Sequence, residues 1–132
     1  MILKQNQIFH FDSFCDARGE LFVFENNDSF SVQRIFFIQH VPHDAVRGNH
    51  ATMNSNEILI LNAGSCQIDL MDGHSQTSIS LKKTMDAVFI PKRTWRKLHT
   101  FTSDCALTVL ADHPYSKADI ITDYEEYLKT VC

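Results

Sequence analysis

What most constrains this chain is a succession of short segments with strand character, separated by turn-formers and by nothing with a helical period. ELFVFE (20–25), VQRIFFIQ (32–39), EILILN (57–62), SCQIDLM (65–71), QTSISL (76–81), DAVFI (86–90) and DCALTVLA (104–111) are each rich in β-branched or aromatic residues. Between them fall NNDS, PHDA, NAGS and MDGH, and Asp72-Gly73 between two alternating segments is a hairpin signal. Parallel strands need helical crossovers, which this stretch lacks, so antiparallel pairing follows. A β-sandwich or jelly roll buries both faces of such strands, and 132 residues suit one domain of this kind, 1–132. The tail differs. DIITDYEEYLKT (119–130) sets Ile120, Ile121, Tyr124, Tyr127 and Leu128 at spacings of three and four, which predicts a short helix laid on the sandwich.

Apolar residues make up 44% and charged residues 21%, a globular balance that excludes disorder. A net charge of -4 without a Lys/Arg cluster argues against a nucleic-acid partner. No apolar run is long enough to span a bilayer, and MILKQNQIFHFDSF lacks a charged region leading into an apolar one, so a cytoplasmic protein without membrane contact is expected. Cys15, Cys66, Cys105 and Cys132 are too dispersed for a zinc motif or a disulfide framework, and Cys66 and Cys105 lie in apolar alternation that predicts burial. Phe22, Phe24, Phe36, Phe37 and Phe89 fall in strand patterns and are expected in core or interface, with Phe30 and Phe101 undecided.

Two polar clusters fall where these strand signals end. The first is Arg47-Gly48-Asn49-His50, followed by Glu57; the second is PKRTWRKLH, 91–99. Together they look like the two motifs of a cupin, in which the first supplies H-x-H and a Glu and the second a later His. Here H-x-H reads His50-Ala51-Thr52, which leaves His50, Glu57 and His99 as the only metal set. First-row metals generally want more imidazole or soft ligands, so the expected site has no metal and no cofactor.

RGNHAT (47–52) with VQRIFFI upstream, LNAGSCQIDLMDG (61–73), FIPKRTWRKLHTFTSDCALTVLA (89–111) and DIITDYEEYL together carry a closer resemblance. Across nearly its whole length the chain is similar to the sugar nucleotide 3,4-ketoisomerases, the FdtA/QdtA and WxcM-like family. The resemblance implies a homodimeric cupin jelly roll that converts dTDP-4-keto-6-deoxyglucose to its 3-keto isomer. That product would feed an aminotransferase in surface-polysaccharide synthesis.

The chemistry makes demands that residues can meet. The C4 ketone acidifies the C3 proton, and a histidine has the right basicity to remove it and to protonate C4 afterwards. That role falls to His50. Enediolate oxygens need fixed donors, for which Arg47 and Arg96 are candidates. A pyrophosphate needs planar cationic forks, and Arg18, Arg34, Arg47, Arg93 and Arg96 are all the arginines of the chain. Asn49, Thr52 and His99 complete the expected substrate contacts, while His10, His40, His43, His74 and His113 are expected to face solvent. Three departures from the family pattern bear on catalysis. Thr52 replaces the second histidine, Phe37 stands where tyrosine is common, and Glu57 stands where glutamine is more usual. Glu57 beside His50 could act as the second base or raise the histidine's pKa. The rival to an isomerase is a cupin that binds a nucleotide sugar without converting it.

Overall fold

The protein is described by a computed structural model over residues 7–132. Residues 1–6, part of the segment read above for its lack of a leader pattern, lie outside the described residues. In chain order the elements are β1 (Ile8–Phe9), β2 (Asp12–Asp16), β3 (Gly19–Val23), β4 (Arg34–Gln39), β5 (Arg47–Thr52), β6 (Glu57–Ala63), β7 (Cys66–Met71), β8 (Gln76–Leu81), β9 (Ala87–Ile90), β10 (Trp95–His99), β11 (Ala106–Ala111), β12 (Ile120–Ile121) and α1 (Tyr124–Val131). Two five-stranded sheets run β1-β9-β6-β11-β4 and β12-β5-β10-β7-β8, and β2-β3 forms a separate hairpin. All pairings are antiparallel. This is the expected jelly-roll sandwich, with sheets that stay open rather than closing into a barrel.

Alternation explains the layers. In β6 and β9 both faces are apolar, so the first sheet buries residues on two sides. Leu59, Leu61, Val88, Ile90, Leu107 and Val109 meet Ile68, Leu70, Leu81 and Leu98 of the second sheet in the central core. On the far side Ile58, Ile60, Ala87 and Leu110 pack with Phe30, Phe9, Phe11, Phe24 and Phe89. A third cluster joins Ala51 and Trp95 to Tyr127 of α1, whose hydroxyl donates to the Arg93 carbonyl at 2.7 Å. Cys66 and Cys105 are buried as expected, and burial pushes the Cys66 thiol up to about 12.

Several expectations need correction. The first polar cluster does not follow a strand but lies within one, β5; the second does begin where β9 ends, at Pro91, and its second half, Trp95–His99, is itself a strand, β10, paired with β5. Their polar residues hide a period-two pattern because one face lines a polar interior. The tail helix starts at Tyr124, not 119: Ile120 and Ile121 extend the second sheet beside β5, and the Asp123 carboxylate caps the helix by accepting from the Glu125 and Glu126 amides. Phe101 and Phe30 are core. Phe37, by contrast, is 72% exposed on the edge strand β4, beside Ile35. His43 is not simply solvated, since its Nδ1 lies 2.9 Å from the Phe101 carbonyl. No helix among the described residues is long and apolar enough to cross a membrane.

Candidate active site

Period-two side-chain alternation aims the key residues inward at one end of the sandwich. On β6, Glu57 shares the face of Leu59 and Leu61; on β10, Arg96 shares the face of Leu98. On β5, Ala51 turns outward to Trp95, so His50 and Thr52 turn inward. Arg34 and Phe36 of β4 share the half-buried face of their strand and line the same interior space. The guanidinium of Arg34 lies over the rings of Phe36 and Tyr115, at 4.7 and 5.3 Å from their centroids.

A bulge shapes the β5 side. The register with β10 steps from Arg96↔His50 to Lys97↔Gly48, leaving Asn49 unpaired. Gly48 and Asn49 both have positive φ, +75° and 55°. Glycine suits position 48, where φ is positive and a Cβ would crowd Arg96, standing 3.2 Å from both its Cγ and its carbonyl oxygen. Bulges of this kind re-aim side chains, and this one brings Arg47, opposite Leu98, onto the same inward face as His50, opposite Arg96, where strict alternation would have turned it outward.

The result is an open cavity of about 80 Å³ whose wall includes Arg47, His50, Glu57 and Arg96 together with apolar Leu59, Ile90, Leu98 and Val109. A polar extension of about 120 Å³ shares Phe36, His50 and Glu57 with it and adds Arg34, Thr52, Ser55, Ser116 and Asp119. Arg96 and Glu57 form an ion pair with side chains only 3% and 5% exposed. Arg96 Nη2 also donates to Thr52 Oγ1 and to the Thr94 carbonyl, both at 3.3 Å, while its Nε has no acceptor among the described residues. His50 is held below the ordinary histidine value of 6.5, first by burial and then by the charge of Arg96; the Gly48 backbone and Glu57 oppose the shift. The imidazole is therefore a neutral base at physiological pH.

Of the residues proposed from sequence, His50, Glu57, Arg47, Arg96, Thr52 and Arg34 converge on this space. Four do not. Arg18 is in the β2-β3 turn, 90% exposed in its side chain and bound to Asp16 at 2.6 Å. Arg93 donates to the Thr130 carbonyl at 3.2 Å, beside α1. Asn49 Oδ1 accepts from Trp95 Nε1 at 3.2 Å. His99 Nε2 meets Asp69 Oδ2 at 3.0 Å on the outer face of the second sheet. The metal set considered from sequence, His50 with Glu57 and His99, is accordingly split between two faces, and Glu57 is engaged by Arg96. Sequence reasoning missed Ser55 and Asp119. Ser55 sits in a loop with no motif, and Asp119 was absorbed into the predicted helix.

An antiparallel jelly-roll sandwich with a histidine and arginines on the wall of an interior cavity defines the class, and the chain belongs to the WxcM-like, C-terminal family (FdtA), whose model matches residues 4–132. It is 30% identical over 129 residues to a TDP-4-oxo-6-deoxy-alpha-D-glucose-3,4-oxoisomerase of Aneurinibacillus thermoaerophilus, covering 96% of this chain and 93% of that one. Among solved structures it is similar to a 3,4-ketoisomerase from Helicobacter canadensis (TM-score 0.88, 37% identity, covering 94% of this chain and 95% of that one). It is also similar to a mutant of the 3,4-ketoisomerase QdtA from Thermoanaerobacterium thermosaccharolyticum in complex with TDP-4-keto-6-deoxyglucose (TM-score 0.87, 28% identity, covering 94% and 91%).

Proposed function

We propose that this chain is a 3,4-ketoisomerase acting on TDP-4-keto-6-deoxyglucose, with His50 as its acid and base. The observation that carries this is the placement of His50, the histidine common to both parts of the cavity and held in its neutral form. The imidazole takes the C3 proton, and the C3–H electron pair moves into a C3–C4 double bond as the C4 carbonyl π pair moves onto its oxygen. The resulting enediolate lies near Arg47 and Arg96, whose charge stabilises it. Return of the proton from His50 to C4, with loss of the proton on the C3 oxygen and gain of one on the C4 oxygen, leaves a C3 ketone and a C4 hydroxyl.

Thr52 supplies no second base, because a hydroxyl without an activating group is far too weak near neutral pH and its oxygen here accepts from Arg96 Nη2 at 3.3 Å. Glu57 is assigned as counter-ion to Arg96 rather than as a base. Protonating it would leave a guanidinium buried without its partner, at a cost of about 3–5 kcal/mol. Arg34, Arg47 and Arg96 are the proposed contacts to the anionic substrate.

A homodimer is proposed on exposed apolar surface. Ile8–Phe9 already covers the β9 edge within the chain, so the unprotected features are edge strand β4, with Ile35 and Phe37, and the β2-β3 hairpin, with Phe14 and Leu21. In such a dimer the hairpin is the element that would carry Arg18 to a substrate site.

Proton NMR with TDP-4-keto-6-deoxyglucose in deuterated buffer tests the activity. Deuterium incorporation and a 3-keto product, both lost in His50→Asn, are expected. A bound but unexchanged sugar would instead make the protein a nucleotide-sugar binder.

A further inference from the structure

Asp119 belongs to none of the chemistry assigned above, yet the residue is only 7% exposed and its carboxylate takes donors from one short turn. Oδ1 accepts from the Met53 amide at 3.0 Å and the Asn54 amide at 2.5 Å, and Oδ2 accepts from Ser55 Oγ at 2.6 Å. The Asp119 carbonyl accepts from Met53 as well, at 2.8 Å. This turn separates β5 from β6 and therefore His50 from Glu57.

The hydrogen bonds continue inward. With the turn fixed, the Ser55 carbonyl takes the single proton of the Thr52 hydroxyl. A hydroxyl whose proton is committed presents only lone pairs to its other neighbours. Those lone pairs face Arg96 Nη2, and Glu57 holds Nη1 from the other side. The guanidinium is thus clamped at both ends, opposite His50 in the β5-β10 register, leaving Nε–H as the donor without an acceptor among the described residues. Were the turn to relax, the Thr52 proton could swing toward a cation, and the guanidinium would be left with Glu57 and the Thr94 carbonyl as its partners.

We propose that Asp119 is a positioning residue for the reaction at His50, acting through the 53–55 turn and the Thr52 hydroxyl to fix the guanidinium of Arg96. The inference rests on the isomerase reading for its kinetic readout, and one readout is independent of it. Burial works to raise the Asp119 carboxyl, but donors from Ser55, Asn54 and Met53 outweigh it and hold the group below the usual value, consistent with a permanent anion in this role. The charged groups on the cavity wall with His50 are Arg96 from β10, Glu57 from β6, Arg34 from β4, Arg47 from its own strand and Asp119 itself, just before β12.

The experiment compares wild type, Asp119→Ala, Asp119→Asn, Thr52→Val and the Asp119→Ala/Thr52→Val double variant. Turnover is followed with TDP-4-keto-6-deoxyglucose, and the His50 imidazole is titrated by NMR without substrate, its resonance assigned with His50→Asn. Displacing a catalytic group by an ångström costs up to about 100-fold, so Asp119→Ala is expected to lower kcat by about 10-fold or more with KM little changed. The His50 titration should move upward, because the depressing charge of Arg96 is no longer held beside it. Asp119→Asn keeps an acceptor for the 53–54 amides and should recover most of both effects. The double variant should lose no more than the worse single one, since both act on the same guanidinium. Additive losses, or a folded Asp119→Ala with wild-type kcat and His50 titration, would overturn the proposal. If Asp119→Ala does not fold, Thr52→Val must by itself lower kcat and raise the His50 titration, and failure to do so is equally decisive. A wild-type protein that does not isomerise would sink the functional reading alone, with the His50 titration still deciding whether Asp119 reaches the site.

Discussion

Glu57→Gln is the substitution whose effect the structure fixes most tightly. The ion pair it breaks has side chains 3% and 5% exposed, so solvent screening offers almost no discount. Removing one partner of such a pair leaves a buried charge without compensation, at a cost of about 3–5 kcal/mol. Glutamine retains an amide oxygen that can accept from Nη1, which places the loss near the lower bound, about 3 kcal/mol. For a chain between the 100-residue and 150-residue classes this amounts to a fall in Tm of roughly 10 °C. Circular dichroism with thermal and urea unfolding reads it directly. Adding Arg96→Met to Glu57→Gln removes the stranded charge and should return most of the stability, because replacing both members of a buried pair by uncharged groups is often neutral. In a version that still turns over, loss of the carboxylate removes a charge that holds the His50 pKa up, so the acid limb of activity should move to lower pH. A loss below about 1 kcal/mol, or a double variant as unstable as the single, would refute the assignment of Glu57 as the counter-ion of Arg96.

Three further outcomes follow from the same geometry. Because His50 titrates below 6.5 in the folded chain, the acid limb of the kcat/KM profile, which reports the free enzyme, should lie below 6.5, where the imidazole protonates; a limb above 6.5 would contradict the buried, Arg96-depressed base. The same depressed pKa means the unfolded chain binds a proton first as pH falls, so the contribution of neutral His50 to stability is full above 6.5 and is lost as pH drops toward the folded value; His50→Asn should flatten this dependence in urea titrations at several pH values. Gly48→Ala should lower turnover by displacing Arg96, since its Cβ would sit at 3.2 Å from Arg96 Cγ at a positive φ, whereas Gly64→Ala, with a Cβ 2.5 Å from Thr102 Oγ1 and 2.7 Å from the Cys105 Cα, should cost stability instead, on the order of 1–3 kcal/mol. Parallel kinetics and thermal melts would separate the two, and equal effects on both properties would count against the bulge as a site-shaping device.

The sequence by itself determined the class of architecture and the chemical type of the site. Alternation in segments such as QTSISL and the Asp72-Gly73 turn is local information: strand period and hairpin geometry are set by neighbouring residues, and β7-β8 formed where they indicated. The histidine of RGNHAT was legible for a similar reason, through the motif that surrounds it. What the tertiary structure alone decided is which polar residues share a space. β5 and β10 carry polar residues on their inward face, so a pattern that distinguishes apolar from polar could not mark them as strands. Their pairing through an unpaired Asn49 turns His50, Thr52 and Arg96 inward while sending Asn49 and His99 elsewhere. No spacing in the chain announces that Glu57 neutralises Arg96, 39 residues away, or that Asp119 reaches back 64 residues to Ser55. Those contacts exist because two sheets face each other and the tail folds back along β5, and a buried charge finds its partner across the core rather than along the sequence.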